Sequence, residues 1–317
     1  MADALQEGVI QVVGSRVAFA AIKQDGSVVT TWGRAYDGGD STSVVDKLQE
    51  GVVQVVGSQF AFAAIKEDGS DVMFGNVEYG GDSSSVADKL QEGVARVVRR
   101  NFSFAAIKEN GSAVTWWKAD AGADSSSVAD KLQEGVVQVV SNKLASAAIK
   151  QDGSVVSWGD AEYGGDSSSV ADKLQDSVVQ VVGRNFSFAA IKEDGSVVSW
   201  GNAEYGADSP SVADKLQEGV VQVVGNMFVF AASEEDGSVV TWGYSEEEEE
   251  TGADSSSVAD KLQEGAVQVV GSQLAFAAIK EDGSVVSWGN AEYGAESSSV
   301  ADTLQDSVVQ VSAVIKL

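Results

Sequence analysis

Short apolar runs alternate with polar connectors along the whole chain, and the fourth repeat shows the order clearly. Residues 136–140, 144–150 and 154–158 form three such runs, each rich in Val, Ala or Ile. Runs of this length with β-branched residues are typical of strands that are buried on both faces. The pattern therefore predicts a unit of three or four strands, of which we name the first three a, b and c.

The connection between strands b and c carries the strongest local signal. Asp-Gly or Asn-Gly pairs supply the positive φ that a tight hairpin turn requires. Every unit has such a pair, so we predict a hairpin in each. The pairs are Asp25-Gly26, Asp68-Gly69, Asn110-Gly111, Asp152-Gly153, Asp194-Gly195, Asp236-Gly237 and Asp282-Gly283.

A short helix is predicted after strand c. Residues 167–175 begin with three serines, which suit N-capping, and carry the apolar pair Val170 and Leu174 four residues apart. A glycine such as Gly135 closes this segment in most units, as is typical of helix C-termini, and the departures are Ser177 and Ser307. Each unit is thus expected to add one or two helical turns to its strands.

The whole pattern recurs about every 42 residues. Leu-Gln pairs mark unit starts at residues 5, 48, 90, 132, 174, 216 and 262, and an eighth pair opens a partial repeat at 304–317. A fixed period of this length indicates a propeller, a solenoid or an array. We predict one domain, residues 1–317. In it the segment 304–317 closes a seam where the chain ends meet, which hides sheet edges.

Residue sizes favour a propeller over an open solenoid. Small residues in strand b, such as Ala61 and Ala63, let neighbouring sheets approach near an axis, and large aromatic residues fill the wider periphery. We therefore predict an all-β, seven-bladed β-propeller. One aromatic position recurs in strand c, and we expect it to be a packing position, with Trp117 as an exposed exception. Its residues are Trp32, Phe74, Trp116, Trp158, Trp200, Trp242 and Trp288.

The fifth unit resembles the repeat of the regulator of chromosome condensation family. Residues 178–183 read Val-Val-Gln-Val-Val-Gly, residues 188–191 read Phe-Ala-Ala-Ile, and residues 194–206 contain Trp-Gly-Asn and Tyr-Gly after the hairpin. The resemblance covers essentially the whole chain and implies a seven-bladed propeller, in agreement with the count of units. The chain departs from the family at the start of strand b, where a usual His-Thr pair is replaced by residues such as Phe60-Ala61.

The resemblance implies a protein that binds other proteins. The founding member of the family acts on a small GTPase through a protruding wedge, so regulation of a small GTPase is the alternative function. The largest insertion in this chain is four residues, in the sixth unit, and no wedge is expected. Binding without catalysis is what the family has in common, and this is an argument by analogy.

Composition argues against an enzyme. The chain contains no Cys and no His, which excludes Ser-His-Asp and Cys-His arrangements and His-ligated metal sites. No cluster of carboxylates or lysines stands outside the repeat pattern. We therefore predict no catalytic residue, no metal site and no cofactor.

The net charge of −27 restricts the partners. Nucleic-acid phosphates and anionic membrane surfaces are repelled by such a molecule, and the apolar runs are far too short to cross a bilayer. We predict a protein partner, with no nucleic acid and no direct membrane insertion. A signal sequence is not expected in this chain, and its compartment is left open. The acidic run Glu246 to Glu250 is interpreted as a solvated loop rather than a metal site.

The connector between strands a and b differs most between units. Its residues change while their surroundings barely do, and equivalent loops of a propeller lie on a circle around one face. Long polar and basic side chains there can hold carboxylates or amides, although drift in an unconstrained loop is the alternative. We predict an exposed protein-binding face on a non-catalytic scaffold. Its residues are Arg16, Gln59, Arg99, Arg100, Asn101, Lys143, Arg184, Asn185, Met227 and Gln273.

Overall fold

The computed structural model describes residues 7–99, 103–117, 124–207, 210–244 and 251–295. These residues form seven antiparallel sheets, each with three strands in the order a, b, c. Because strand b is central, both of its edges are paired within its own sheet. The fold is the all-β, seven-bladed β-propeller that the repeat predicts.

Strands are numbered in chain order. The a strands are β1 (Val9–Gly14), β4 (Val52–Gly57), β7 (Val94–Arg99), β10 (Val136–Ser141), β13 (Val178–Arg184), β16 (Val220–Gly225) and β19 (Ala266–Gly271). The b strands are β2 (Ala18–Lys23), β5 (Ala61–Lys66), β8 (Ser103–Lys108), β11 (Ala145–Lys150), β14 (Ser187–Lys192), β17 (Val229–Glu234) and β20 (Ala275–Lys280). The c strands are β3 (Val28–Gly33), β6 (Asp71–Gly75), β9 (Ala113–Trp117), β12 (Val155–Gly159), β15 (Val197–Gly201), β18 (Val239–Gly243) and β21 (Val285–Gly289).

The predicted hairpin turns join strands b and c. Gly153 has φ +76, the left-handed conformation that glycine adopts without a steric cost. The carboxylate of Asp152 accepts hydrogen bonds from the backbone N–H of Ser154 at 3.0 Å and from its hydroxyl at 2.6 Å. The pair therefore fixes the turn twice, once through backbone conformation and once through a side-chain acceptor.

The helical segments are 3₁₀ helices. Long ones follow the Gly-rich loops, and short ones follow strand c directly. The long helices are Thr42–Leu48, Ser84–Lys89, Ser126–Leu132, Ser168–Leu174, Pro210–Leu216 and Ser256–Lys261. The short helices are Ala35–Asp37, Val77–Tyr79, Ala161–Tyr163, Ala203–Tyr205 and Ala291–Tyr293.

The predicted capping by serine is wrong. Ser167 occupies the N-cap position but makes no side-chain hydrogen bond to the helix. Its backbone, at φ −108 and ψ 17, is outside the extended conformation from which a hydroxyl caps a helix. Asp166 acts instead, because its carboxylate accepts the backbone N–H of Ser168 at 2.9 Å.

The core lies between successive sheets. Ala145 and Ala147 of β11 pack in one cluster with Val181, Phe188 and Trp200 of the next unit. The Trp200 ring stacks on Phe188 at 5.1 Å between centroids and is 2% exposed. The shared aromatic position is thus a packing position, as predicted. Phe74, Trp116, Trp158, Trp242 and Trp288 are likewise buried, Trp32 is half-buried, and the side chain of Trp117 lies outside the described part.

The first sheet differs from the others on the face that is turned away from the second sheet. Phe19 is 45% exposed, although the equivalent Phe188 is fully buried. A Cβ built on Gly164 would lie 2.9 Å from the Phe188 ring. At Gly294 in the last unit, no atom of the described residues lies within 4 Å of the same position. The segment predicted to close this seam, 304–317, lies outside the described residues, and its role stays a prediction.

Candidate functional site

The antiparallel order of the strands brings two kinds of loop to one end of each sheet. Strand a ends and strand b begins there, and strand c returns to it, whereas the hairpin turns lie at the other end. Hydrogen bonds join the two kinds of loop, since the Asn142 amide donates to the Tyr163 carbonyl and the Ser272 hydroxyl to the Tyr293 carbonyl. We call these the connector end and the hairpin end.

A cavity of about 430 Å³ lies at the connector end and is lined by the connectors of six units. We call it the connector cavity. Its walls are built from polar and basic side chains with short backbone stretches between them. The lining residues are Ser58, Gln59, Arg99, Ser141, Asn142, Lys143, Gly183, Arg184, Asn185, Asn226, Met227, Ser272 and Gln273.

Most of the predicted site residues meet at this cavity. Arg16 is exposed but does not line it, and its backbone N–H donates to the Gln59 carbonyl at 3.1 Å. Arg100 and Asn101 lie outside the described residues. The predicted residues that line the cavity are Gln59, Arg99, Lys143, Arg184, Asn185, Met227 and Gln273.

Backbone hydrogen bonds hold neighbouring connectors together. In each case an N–H of one connector donates to a carbonyl of the next, so the spacing of the side chains is set by the main chain. Such pre-organisation lowers the ordering cost when a ligand binds. Besides the bond between units one and two, the pairs are Lys143 to Asn185 at 3.3 Å and Met227 to Gln273 at 3.0 Å.

Among the described residues, the lining contains three cations, Arg99, Lys143 and Arg184, and no carboxylate. None of the three has an acidic side chain within 4.0 Å among the residues that the structure describes. This is unusual in a chain of net charge −27, where carboxylates outnumber basic residues 48 to 21. The connector cavity is therefore a positive region on a negative molecule.

Arg184 is not the exposed residue that the sequence suggested. Strand β13 extends to include it, and its side chain lies over Gly225 of the next unit, where a Cβ would collide with the arginine. The guanidinium is half-buried, its Nε has no hydrogen-bond partner among the described residues, and burial lowers its pKa. A guanidinium still keeps its proton at neutral pH, so Arg184 presents an unpaired, partly desolvated charge.

The other two cations are exposed and held differently. Arg99 reaches back to the preceding unit, where its Nη1 donates to the Gly57 carbonyl at 3.0 Å. Lys143 places its Nζ 5.7 Å from the centroid of the Phe186 ring, within the range of a cation–π interaction. Both contacts leave further donors of each cation available to a ligand.

A row of half-buried aromatic rings lies next to residues that line the cavity, and the variation of the connectors did not predict it. Its members come from the connectors and from the loops after strand c of units four to six. We call Tyr163, Phe186, Tyr205, Phe228 and Tyr244 the aromatic row. Centroid distances between neighbours are 5.2 Å for Tyr163–Phe186, 4.4 Å for Phe186–Tyr205, 5.5 Å for Tyr205–Phe228 and 4.9 Å for Tyr205–Tyr244.

A sequence signal for this row exists. The residue after each variable connector pair is apolar in every unit although it precedes strand b in a loop. An apolar residue repeated at a loop position indicates a packed or binding surface. The residues are Val17, Phe60, Phe102, Leu144, Phe186, Phe228 and Leu274.

The described residues contain no group of three or more acidic side chains placed to hold a metal ion. None of their helices has both the length and the apolar character that crossing a bilayer requires. The acidic run Glu246 to Glu250 lies outside these residues.

No family model and no curated protein matches the chain. Solved structures with a similar fold include Prp20p of Saccharomyces cerevisiae, at 15% identity over 90% of this chain and 72% of that one, with a TM-score of 0.42. Human WBSCR16 is 18% identical over 96% and 81%, with a TM-score of 0.43. The CRINKLY WD40 ectodomain of the Arabidopsis thaliana receptor kinase ACR4 is 14% identical over 89% and 96%, with a TM-score of 0.42.

These similarities concern the fold alone. The seven three-stranded sheets themselves carry the assignment of a seven-bladed propeller. Inferences about the site rest on the geometry of the connector end.

Proposed function

We propose that this protein is a non-catalytic scaffold that binds another protein at the connector cavity. One observation carries the proposal. Three cations from successive units, Arg99, Lys143 and Arg184, converge on one cavity whose described lining has no carboxylate, in a chain of net charge −27. A surface of this kind suits a partner that presents carboxylates or amides.

Energetics support such a partner. Hydrogen bonds between a guanidinium and a carboxylate are short and strong, and a bound carboxylate would restore partners to the half-buried Arg184. Carboxylates elsewhere on the molecule repel acidic surfaces that approach in another orientation, which adds selectivity. Binding should therefore weaken as salt is added.

Photo-crosslinking tests where the partner lies. A photoreactive amino acid at Gln273 lines the cavity, and the same group at Lys131 lies exposed on the helix Ser126–Leu132. The proposal predicts crosslinks to a captured protein from position 273 and none from position 131. Equal crosslinking from both positions, or crosslinking from 131 alone, would place the partner elsewhere.

A charge reversal tests the role of the cations. Arg99→Glu combined with Lys143→Glu changes two exposed residues at the cavity, and Lys131→Glu combined with Lys173→Glu changes the net charge equally on exposed helical residues. We expect the first pair to weaken the partner's affinity by roughly a hundredfold or more and the second to have little effect. Equal losses in both double variants would reduce the effect to net charge and contradict the proposal.

A further inference from the structure

The connector end is not symmetric, although its units are nearly identical in sequence. In units four to six the basic residues Lys143 and Arg184 occur together with the stacked rings of Phe186 and Phe228. In the first unit the position equivalent to Tyr205 holds Asp37, and the position equivalent to Phe186 holds Val17. One arc therefore combines positive charge with an aromatic surface.

The connector cavity and the aromatic row form a continuous surface. Lys143 connects them, since it lines the cavity and its Nζ lies over the Phe186 ring of the row. Asn185 and Met227 line the cavity and immediately precede Phe186 and Phe228 in the chain. A ligand in the cavity would thus reach the aromatic row with its next residues.

We propose that this arc binds a linear acidic segment of the partner. Carboxylates of the segment enter the connector cavity and pair with Arg184 and Lys143, and a neighbouring aromatic or large aliphatic side chain packs on Phe186 and Phe228. The inference rests on the proposed function and names the part of the partner that is recognised.

The size and chemistry of the surface fit a segment rather than a folded surface. A cavity of about 430 Å³ accommodates a few side chains and excludes a domain. The amides of Asn185 and Gln273 can bind peptide groups of an extended chain. Aromatic residues, Met and Arg are the residues that dominate binding at the centres of protein interfaces.

Charge separates this ligand from a single-stranded nucleic acid, which also uses cations and stacked rings. The phosphates of an oligonucleotide extend over many residues and would meet the acidic remainder of the molecule, at net charge −27. A short acidic segment places its charge in the cavity alone. An oligonucleotide is therefore included in the test as a competing ligand.

Selection from a phage-displayed library of random linear peptides tests the inference with the full chain. The recovered peptides should be rich in Asp and Glu next to an aromatic or large aliphatic residue. The Lys143→Glu and Phe228→Ser variants should not recover them. Because Lys143 is exposed, Lys143→Glu should leave the fold intact, and it tests the inference even if Phe228→Ser lowers the stability of the protein.

Fluorescence anisotropy with a recovered peptide measures the two contributions. We expect roughly tenfold weaker binding when its acidic residues become amides, and again when its aromatic residue becomes Ser. The matched variants Lys173→Glu and Tyr36→Ser, both at exposed positions, should keep the affinity of the unchanged chain.

Three results would overturn the inference. They are recovery of no acidic peptide, equal binding of the peptide that carries Ser, or tighter binding of a single-stranded oligothymidylate. If these occur while the partner protein still crosslinks from position 273, the proposed function stands and only the acidic segment is refuted. If crosslinking from 273 is absent as well, the proposed function fails too.

Discussion

Ser177 is a residue whose conformation conflicts with its side chain. Its φ is +62, and it is the only residue other than glycine with a positive φ in the described part of the chain. Equivalent positions in other units carry glycine, such as Gly135 at φ +72. A residue with a Cβ pays roughly 1–2 kcal/mol in this region, because the Cβ approaches the carbonyl oxygen.

Ser177→Gly is therefore expected to stabilise the protein. The gain in the free energy of unfolding should be about 0.5–1 kcal/mol, because the greater freedom of glycine in the unfolded chain offsets part of the relief. Chemical denaturation measures it. The reciprocal change, Gly135→Ser, should lower the free energy of unfolding by a similar amount, and an increase on that substitution would contradict the account.

The sequence pattern predicted which residues lie at the site, but not how each of them is buried. Variation confined to the connectors identified Lys143, Arg184 and Met227, which do line one cavity. The burial of Arg184 could not be predicted, because the space it fills is created by Gly225 of the next unit. Contacts of this kind join residues about 40 positions apart in neighbouring units. The sequence pattern does not predict which residues of the two units face each other.

At the scale of elements, strand β6 carries an unusual first residue. Asp71 occupies a position that holds Val in five other units, as at Val197. One carboxylate oxygen, Oδ2, is buried without a hydrogen-bond partner in the described structure, and burial raises the pKa of Asp71 from 3.8 to about 6. The charged form is therefore disfavoured in the folded state.

This carboxylate should make stability depend on pH. Between the unfolded pKa of 3.8 and the folded pKa of about 6, the folded state binds more protons, so stability falls as pH rises through this window. Asp71→Val should raise the free energy of unfolding by up to about 3 kcal/mol above pH 7, because it removes the desolvated charge. Below pH 4 the carboxyl is protonated in the folded state, and removing it should add little to the free energy of unfolding. Denaturation at several pH values measures the difference.

The exposed Asp88 offers a matched control for this substitution. Asp88→Val removes the same charge and should change stability by only about 0.5 kcal/mol at any of these pH values. If Asp71→Val gained no more at pH 7 than at pH 4, the carboxylate would not be the desolvated group described above.

Strand positions were the most predictable feature at this scale. The predicted runs 136–140, 144–150 and 154–158 differ by one residue at their ends from β10, β11 and β12, because β-branched runs and Asp-Gly turns act locally. The serine cap predicted for the following helix does not form, because the Ser167 backbone lies outside the extended conformation that capping requires, and Asp166 accepts the N–H of Ser168 instead.

The whole molecule raises the question of how the ring closes. Phe19 presents an exposed apolar surface on the first unit, and no atom of the described residues fills the space at Gly294 of the last unit. Between other units the equivalent phenylalanine packs directly over the equivalent glycine, as Phe188 does over Gly164. The two free surfaces therefore complement each other, and we expect them to meet, with the segment 304–317 completing the seam.

A distance between spin labels tests closure. The chain contains no Cys, so cysteines introduced at Arg16 and Glu292 can be labelled specifically across the seam. Met227 and Glu204 are the equivalent pair between units five and six. We expect similar distances for the two pairs. A much longer distance across the seam would show an open ring, and an intermolecular signal would show head-to-tail association.

The repeat made the number of sheets predictable, but not the site. Eight Leu-Gln pairs recur at a nearly constant spacing, and seven of them open a full unit that folds in the same way. The arc with the aromatic row arises where a few substitutions coincide in neighbouring units, as at Lys143, Phe186 and Phe228. Whether these side chains contact each other depends on the curvature of the ring, and the repeat spacing alone does not determine that curvature.

The central claim is that a partner protein docks at the connector end. Amide hydrogen exchange of the full chain, with and without the captured partner, tests it most directly. The account predicts slower exchange in residues 183–186 and 226–228 of the connectors, and no change in the hairpin turns 193–196 and 235–238. Protection of the hairpin turns with the connectors unchanged would contradict it.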